Sequence, residues 1–191
     1  MYNLLRQNIE KRIPLTDTEW NLVVEKLKFI KLRKNEYLQV QDASSKYEAF
    51  VLQGILKMYH LHEDGTENIL FFAFESNWIC DVESFYHHKK AKYSVKAIED
   101  CEIVVMTKEN KAQLFLEVPK LLLFHTNLIE KATIVMQDRV LDVLCKTSKQ
   151  RYLDFITRFP KHVQRINDRN LSSYLGVSHE FLCKIKKSIV Y

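Results

Sequence analysis

NDRNLSSYLGVSHEFLCKIKKSIV, residues 167–190, reads as two short helices around a tight turn. Leu171, Tyr174 and Leu175 recur at helical spacing on one face of the first helix. Gly176 ends it, because glycine enters the left-handed backbone region of a sharp helix stop without a Cβ penalty. Val177 plugs the turn, and Ser178 is a good N-cap for a second helix whose Leu182 and Ile185 face the first. The solvent face of that second helix then carries His179, Glu180, Cys183, Lys184 and Lys187. A helix fits the width of the DNA major groove, and the residues near its N-terminus reach base edges. His179, Glu180, Lys184 and Lys187 are therefore candidate DNA-binding residues.

Charge along the chain separates this reading from a purely structural helical hairpin, which would share the apolar pattern. The 191 residues carry a formal net charge of +5. Residues 1–145 hold 19 Lys+Arg against 21 Asp+Glu, whereas residues 146–191 hold 10 against 3, a net of +7. A compact basic end on a mildly acidic body is the layout of a small module that meets a polyanion.

Upstream, Thr16 with Glu19 three residues later is a capping box opening a short helix through Trp20, Val23, Val24 and Leu27. From Glu36 to about Thr107 the chain runs through EYLQVQ, EAFVLQ, ILKMYHLH, NILFFAF, YSVKAI and EIVVM, short β-rich segments separated by DASS, EDGT and IEDC. Asp64-Gly65 is a hairpin turn signal. Strands this short and evenly spaced imply a barrel or double-sheet jelly roll. At Pro119 the period becomes helical and stays so to about Lys146, with Leu121, Leu128, Ile129, Ala132, Val135, Met136, Val140 and Val143 on one stripe. Leu123, Ile134, Leu141, Leu144 and Cys145 lie outside it, so the helix has apolar residues for its own domain and for a second copy. A further helix, roughly Lys149 to Arg158, should stop before Pro160.

The expected fold class is α+β: a jelly-roll domain over residues 1–118, a dimerisation helix over 119–146 and an all-α helix-turn-helix domain over 147–191. No window approaches ~18 uncharged apolar residues and the N-terminus lacks a signal-peptide pattern, so a cytoplasmic protein without membrane contact is expected. Cys80, Cys101, Cys145 and Cys183 are widely spaced and read as four small buried thiols; no cofactor and no metal site is implied. No nucleophile–base arrangement, phosphate-cradling glycine loop or pair of catalytic carboxylates stands out, and an enzyme is not expected.

In FVLQGILKMYHLHEDGTENILFFAF, YSVKAIEDCEIVVM and LSSYLGVSHEFLCKIKK, taken in this order, the chain resembles the Crp/Fnr transcription regulators over nearly its whole length. The resemblance implies a cyclic nucleotide-binding-like jelly roll as sensor, a long dimer helix and a C-terminal helix-turn-helix, hence double-stranded DNA and a second copy as partners, with a small-molecule effector. It places Ser178, His179, Glu180 and Lys184 where better-known members have a phosphate contact and two base-reading arginines around a glutamate. Histidine and lysine cannot make the bidentate arginine-to-guanine contact, so a different site is expected. The family's nucleotide-binding members use a Gly-Glu step and, about ten residues later, an arginine for the cyclic phosphate. Aligned on YSVKAIED, this chain has Cys80 and Asp81 for the first pair and Ala91 for the arginine, so any ligand is expected to be something other than cyclic AMP. Asp81, Phe85 and Tyr93 are the candidate ligand-binding residues. No N-terminal cysteine cluster supports the family's iron–sulfur branch, and no spacing supports haem.

The rival from another class is a cupin-like metal-dependent enzyme. Gly54, His60, His62 and Glu67 resemble the first cupin metal motif, and the two histidines share one strand face. Phe74 stands where that motif expects a glycine, and no second motif supplies the remaining histidine.

Overall fold

The computed structural model describes residues 2–189, so Val190 of the opening stretch lies outside it. Helices α1 (Asn3–Glu10) and α2 (Asp17–Glu25) lead into strands β1 (Lys28–Leu32), β2 (Tyr37–Gln39), β3 (Glu48–Gln53), β4 (Leu56–Leu61), β5 (Glu67–Ala73) and β6 (Trp78–Ile79). Helix α3 (Val82–His87) precedes β7 (Ser94–Ala97) and β8 (Cys101–Met106). Helices α4 (Lys108–Glu117), α5 (Leu121–Cys145), α6 (Ser148–Arg158), α7 (Asp168–Leu175) and α8 (His179–Lys187) follow, with a 3-10 turn at Val163–Arg165. The strands form two antiparallel sheets, in the orders β1-β8-β3-β6 and β2-β7-β4-β5. This is the two-sheet jelly roll expected from the sequence.

Both sheets are covered on both faces. Ala49 and Val51 of β3, with Cys101, Ile103 and Val105 of β8, meet Leu56 and Met58 of β4 and Val95 and Ala97 of β7 between the sheets. The alternate residues Phe50, Val104 and Met106 pack outward against Leu5, Ile9, Val23, Leu114, Leu121 and Phe124 from the flanking helices. On the other sheet, Tyr59, Ile69 and Phe72 face away from the barrel interior and join Phe155, Ile166, Leu171, Leu175 and Leu182 of the C-terminal helices. Burial on both faces explains why EAFVLQ and NILFFAF show no polar alternation.

Several local readings hold in detail. Thr16 and Glu19 form both halves of their capping box. Gly65 has φ +81° in the β4–β5 hairpin, where His62 N–H donates to Thr66 O at 2.9 Å. Thr147 and Gln150 add a second capping box at α6, and that helix stops at Arg158.

Other readings are corrected. The sequence expectation began the sheet at Glu36 and so missed β1; it also missed β6, α1, α3 and α4. Strand β6 has two residues and α3 has six, too few to set a period. The helical stretch read from Pro119 begins at Leu121; Pro119 itself lies in the preceding turn, where Leu121 N–H bonds Val118 O at 3.0 Å. Of the four thiols only Cys101 is buried; Cys80 and Cys183 are half-buried and Cys145 is exposed.

Candidate nucleic-acid interface

Helix α7 begins at the cap of Asn167, whose side chain accepts from Asn170 N–H at 2.8 Å. It ends on Gly176 at φ +66°, with Val177 N–H closing back on Ser172 O at 3.0 Å. Ser178 caps α8 through Phe181 N–H at 3.2 Å. Leu171, Leu175, Leu182 and Ile185 are buried. The turn thus holds two amphipathic helices across each other, as the spacing predicts.

At about 100° per residue, Glu180, Lys184 and Lys187 share the outward face of α8. All three are exposed, as are Ser178 and His179. Lys184 and Lys187 make no ion pair among the described residues. Glu180 is held ionised: its own backbone N–H and the Ser178 hydroxyl lower its pKa. An ionised carboxylate only accepts hydrogen bonds, which suits a cytosine amino group. The Ser178 oxygen accepts the capping bond from Phe181 N–H, while its hydroxyl proton is directed at the Glu180 carboxylate. His179 and Cys183 lie on the flank nearer α7. Phe181, 48% exposed on the other flank, was missed by the sequence reading; an apolar ring beside a groove-sized helix can contact a thymine methyl.

Much of the basic excess is spent inside the molecule. Arg165 pairs with Glu75 and Glu99, Lys146 with Asp142 and Asp154, and Lys186 with Asp168. Arg151 donates to Lys146 O at 2.7 Å and Leu175 O at 3.0 Å. Arg139 of α5 lies over the Tyr174 ring at 3.9 Å and donates to Ile69 O and Tyr174 O. Ser173 of α7 donates to Glu67 O and accepts from Ile69 N–H, so the first helix of the pair is fastened to β5.

Residues 29–117, from β1 to the end of α4, match the family described as cyclic nucleotide-binding domain. Three solved structures share the Crp/Fnr fold. The regulator CLP of Xanthomonas campestris, described as c-di-GMP responsive, has a TM-score of 0.75 at 12% identity, covering 91% of each chain. FixK2 of Bradyrhizobium japonicum also scores 0.75, at 16% identity, over 85% of this chain and 84% of its own. A regulator of Eubacterium rectale described as of the crp/fnr family scores 0.72 at 14% identity, over 91% and 83%. No curated protein matches the chain in sequence.

In the barrel, Asp81 is buried as the N-cap of α3: its carboxylate accepts from Ser84 N–H at 3.2 Å and from Lys92 N–H at 2.9 Å. Phe85 is 1% exposed, and Tyr93 is half-buried against the inter-sheet core, its carbonyl accepting from Gln39. Ala91 is buried and exchanges backbone hydrogen bonds with Asp42 and Ala43. Lys89 and Lys92 both pair with Glu83, whose carboxyl they hold down to about 2.

The cupin constellation is not assembled. His60 Nδ1 lies 3.0 Å from Lys92 O, His62 Nε2 lies 2.7 Å from Asn68 Nδ2, and Glu67 is paired with the buried Lys57. The physical reason is the demand of Lys57: a buried ammonium needs its counter-charge, and Glu67 supplies it. Among the described residues, these three do not form a set of metal-ligand atoms within mutual reach.

Proposed function

We propose that the protein is a homodimeric, cytoplasmic transcription regulator that binds double-stranded DNA sequence-specifically through Ser178, His179, Glu180, Lys184 and Lys187, rather than an enzyme. The observation that carries this reading is the outward face of α8, where Glu180, Lys184 and Lys187 stand exposed on a capped helix that a turn and a buried apolar seam hold in place. The working division is a sensor jelly roll over 1–118, a dimer helix over 119–146 and the helix-turn-helix domain over 147–191. Ile134, Val140, Leu141, Val143 and Leu144 of α5 are all more than half exposed, which supports a second copy along it.

The mechanism is a population shift. A small-molecule effector that prefers one arrangement of barrel and α5 changes the separation of the two recognition helices, and only a spacing of about 34 Å matches adjacent half-sites. The effector is not cyclic AMP. By the resemblance, Ala91, a buried methyl, stands where a phosphate-binding arginine is expected, the Asp81 carboxylate is engaged by two backbone N–H groups, and Lys89 and Lys92 share the single counter-charge of Glu83. Asp81, Phe85 and Tyr93 remain the residues for another ligand to meet. Cyclic AMP should leave the melting temperature unchanged, whereas a saturable rise would overturn this part.

The main test is fluorescence-anisotropy titration against the gene's own upstream region and random duplexes across a salt series. Tight, steeply salt-dependent binding to one sequence is expected. Equal affinity for all duplexes, with or without cellular metabolites, would sink the reading.

A further inference from the structure

Asp168, His179 and Cys183 bring a carboxylate oxygen, an imidazole nitrogen and a sulfur within 4.8 Å of one another, and this is the set of three such ligand atoms found among the described residues. His179 and Cys183 stand four residues apart on α8, hence on one side of it. Asp168 comes from the first turn of α7, across the turn at Gly176. The N-cap of α7 is Asn167, so the Asp168 carboxylate has no part in capping. What holds it is the ammonium of Lys186, a cation already occupying one side of the cluster.

We propose that these three residues form a site for one thiophilic divalent transition ion, zinc foremost, that ties α7 to α8. Ligand atoms of a tetrahedral zinc lie roughly 3.5 Å apart, given bonds of about 2.0 to 2.3 Å, and the three atoms here already lie within 4.8 Å of one another. Thiolate with imidazole selects zinc or cobalt over magnesium and calcium, which need cages of oxygen. As the sulfur–metal bond forms, the Cys183 thiol releases its proton to solvent, and water fills the fourth position. The two anionic ligands offset the dipositive ion. Binding displaces Lys186 from Asp168, which adds a free cation to α8, and it withdraws the His179 imidazole from the groove. This last consequence rests on the DNA-binding reading; the ion site itself does not. Coupling is reciprocal, so the factor by which zinc changes the affinity for DNA is the factor by which DNA changes the affinity for zinc.

The test uses full-length protein purified without an affinity tag, reduced and stripped with chelator, then titrated with cobalt(II). A sulfur-to-cobalt charge-transfer band saturating at one equivalent, with the strong visible bands of four-coordinate cobalt and loss of both on adding zinc, is expected. Cys183→Ser should abolish the charge-transfer band, and Asp168→Asn and His179→Ala should each weaken binding at least about tenfold. None of the three side chains is fully buried, and circular dichroism with thermal melts checks that each variant is folded. A band that survives Cys183→Ser, or no saturation by about 100 μM cobalt, overturns the site. In anisotropy, zinc should shift the affinity of the wild type for its preferred duplex at least about threefold and leave Cys183→Ser unmoved. Cobalt binding without any zinc effect on DNA overturns the coupling. Cobalt binding in a protein that ignores DNA refutes the regulator and keeps the site, and DNA binding without the cobalt signal does the reverse.

Discussion

Gly54 turns the chain between β3 and β4 at φ +95°, and a Cβ there would sit 2.6 Å from both Asp100 O and Cys101 Sγ. Strain and overlap act together, so Gly54→Ala should destabilise the barrel by at least about 2 kcal/mol, measured as a shift in denaturant midpoint at constant slope. At Lys184 the question is recognition rather than folding. Its side chain is exposed and unpaired among the described residues, so Lys184→Ala should leave the melting temperature within experimental scatter. If it reads a base, the substitution costs about 1 to 3 kcal/mol on the preferred duplex and much less on random DNA; equal losses on both would assign it to phosphate. Lys184 was legible in the sequence, on the outward face of a helix. The collision awaiting a side chain at Gly54 was not, because Asp100 and Cys101 are distant in sequence.

Helix α5 shows how far periodicity reaches. Its 25 residues extend about 38 Å, yet only Leu121 and Phe124, in the first turns, are buried. The rest of the apolar stripe, and the residues outside it, stay largely open to solvent. Helical spacing identified the apolar positions, but it could not tell a contact within the chain from one with a second copy, since both are satisfied by the same residue types. If a second copy covers this helix, Leu141→Glu buries an uncompensated carboxylate in each protomer at a cost of about 3 kcal/mol or more. The variant should sediment as a monomer and lose the concentration dependence of its melting temperature, while a wild type that is monomeric at micromolar concentration would refute the interface.

Across the whole molecule, the helix-turn-helix is seated on the outer face of β4 and β5 rather than tethered beside the barrel. Phe72 and Phe74 pack with Phe155, Phe159 and Tyr174 at ring separations of 4.9 to 6.3 Å. Arg165 closes the edge on Glu75 and Glu99, with His162 3.4 Å from Glu75. Partial burial pushes the Glu75 carboxyl up, but hydrogen bonds from Arg165 and from backbone N–H groups outweigh it and hold the pKa at about 2 against an ordinary 4.5. A depressed carboxyl contributes stability that is complete above its unfolded value and disappears as pH falls through its folded value. The seating should therefore weaken between about pH 4.5 and 2. Melting temperatures recorded across that range should fall in the wild type and change less in Glu75→Gln, which should itself lose about 1 to 3 kcal/mol at pH 7. Parallel curves for the two proteins would show that Glu75 does not govern the acid response.

By itself the sequence determined what depends on near neighbours: the capping box at Thr16, the hairpin at Gly65, the left-handed stop at Gly176, the cap at Ser178 and the order of barrel, long helix and helix pair. These are set within a few residues, because caps and turns are local hydrogen-bond and steric problems. Only the tertiary structure decided which charges face outward and which ligands meet. Arg165 counts toward the basic C-terminus in sequence, yet it is neutralised by Glu75, 90 residues away, and Glu67 answers Lys57 rather than His60 and His62. Asp168 joins His179 and Cys183 only because the turn folds α7 across α8. Coulomb energy and coordination depend on distances of a few ångströms in space, and composition along a chain carries no record of them.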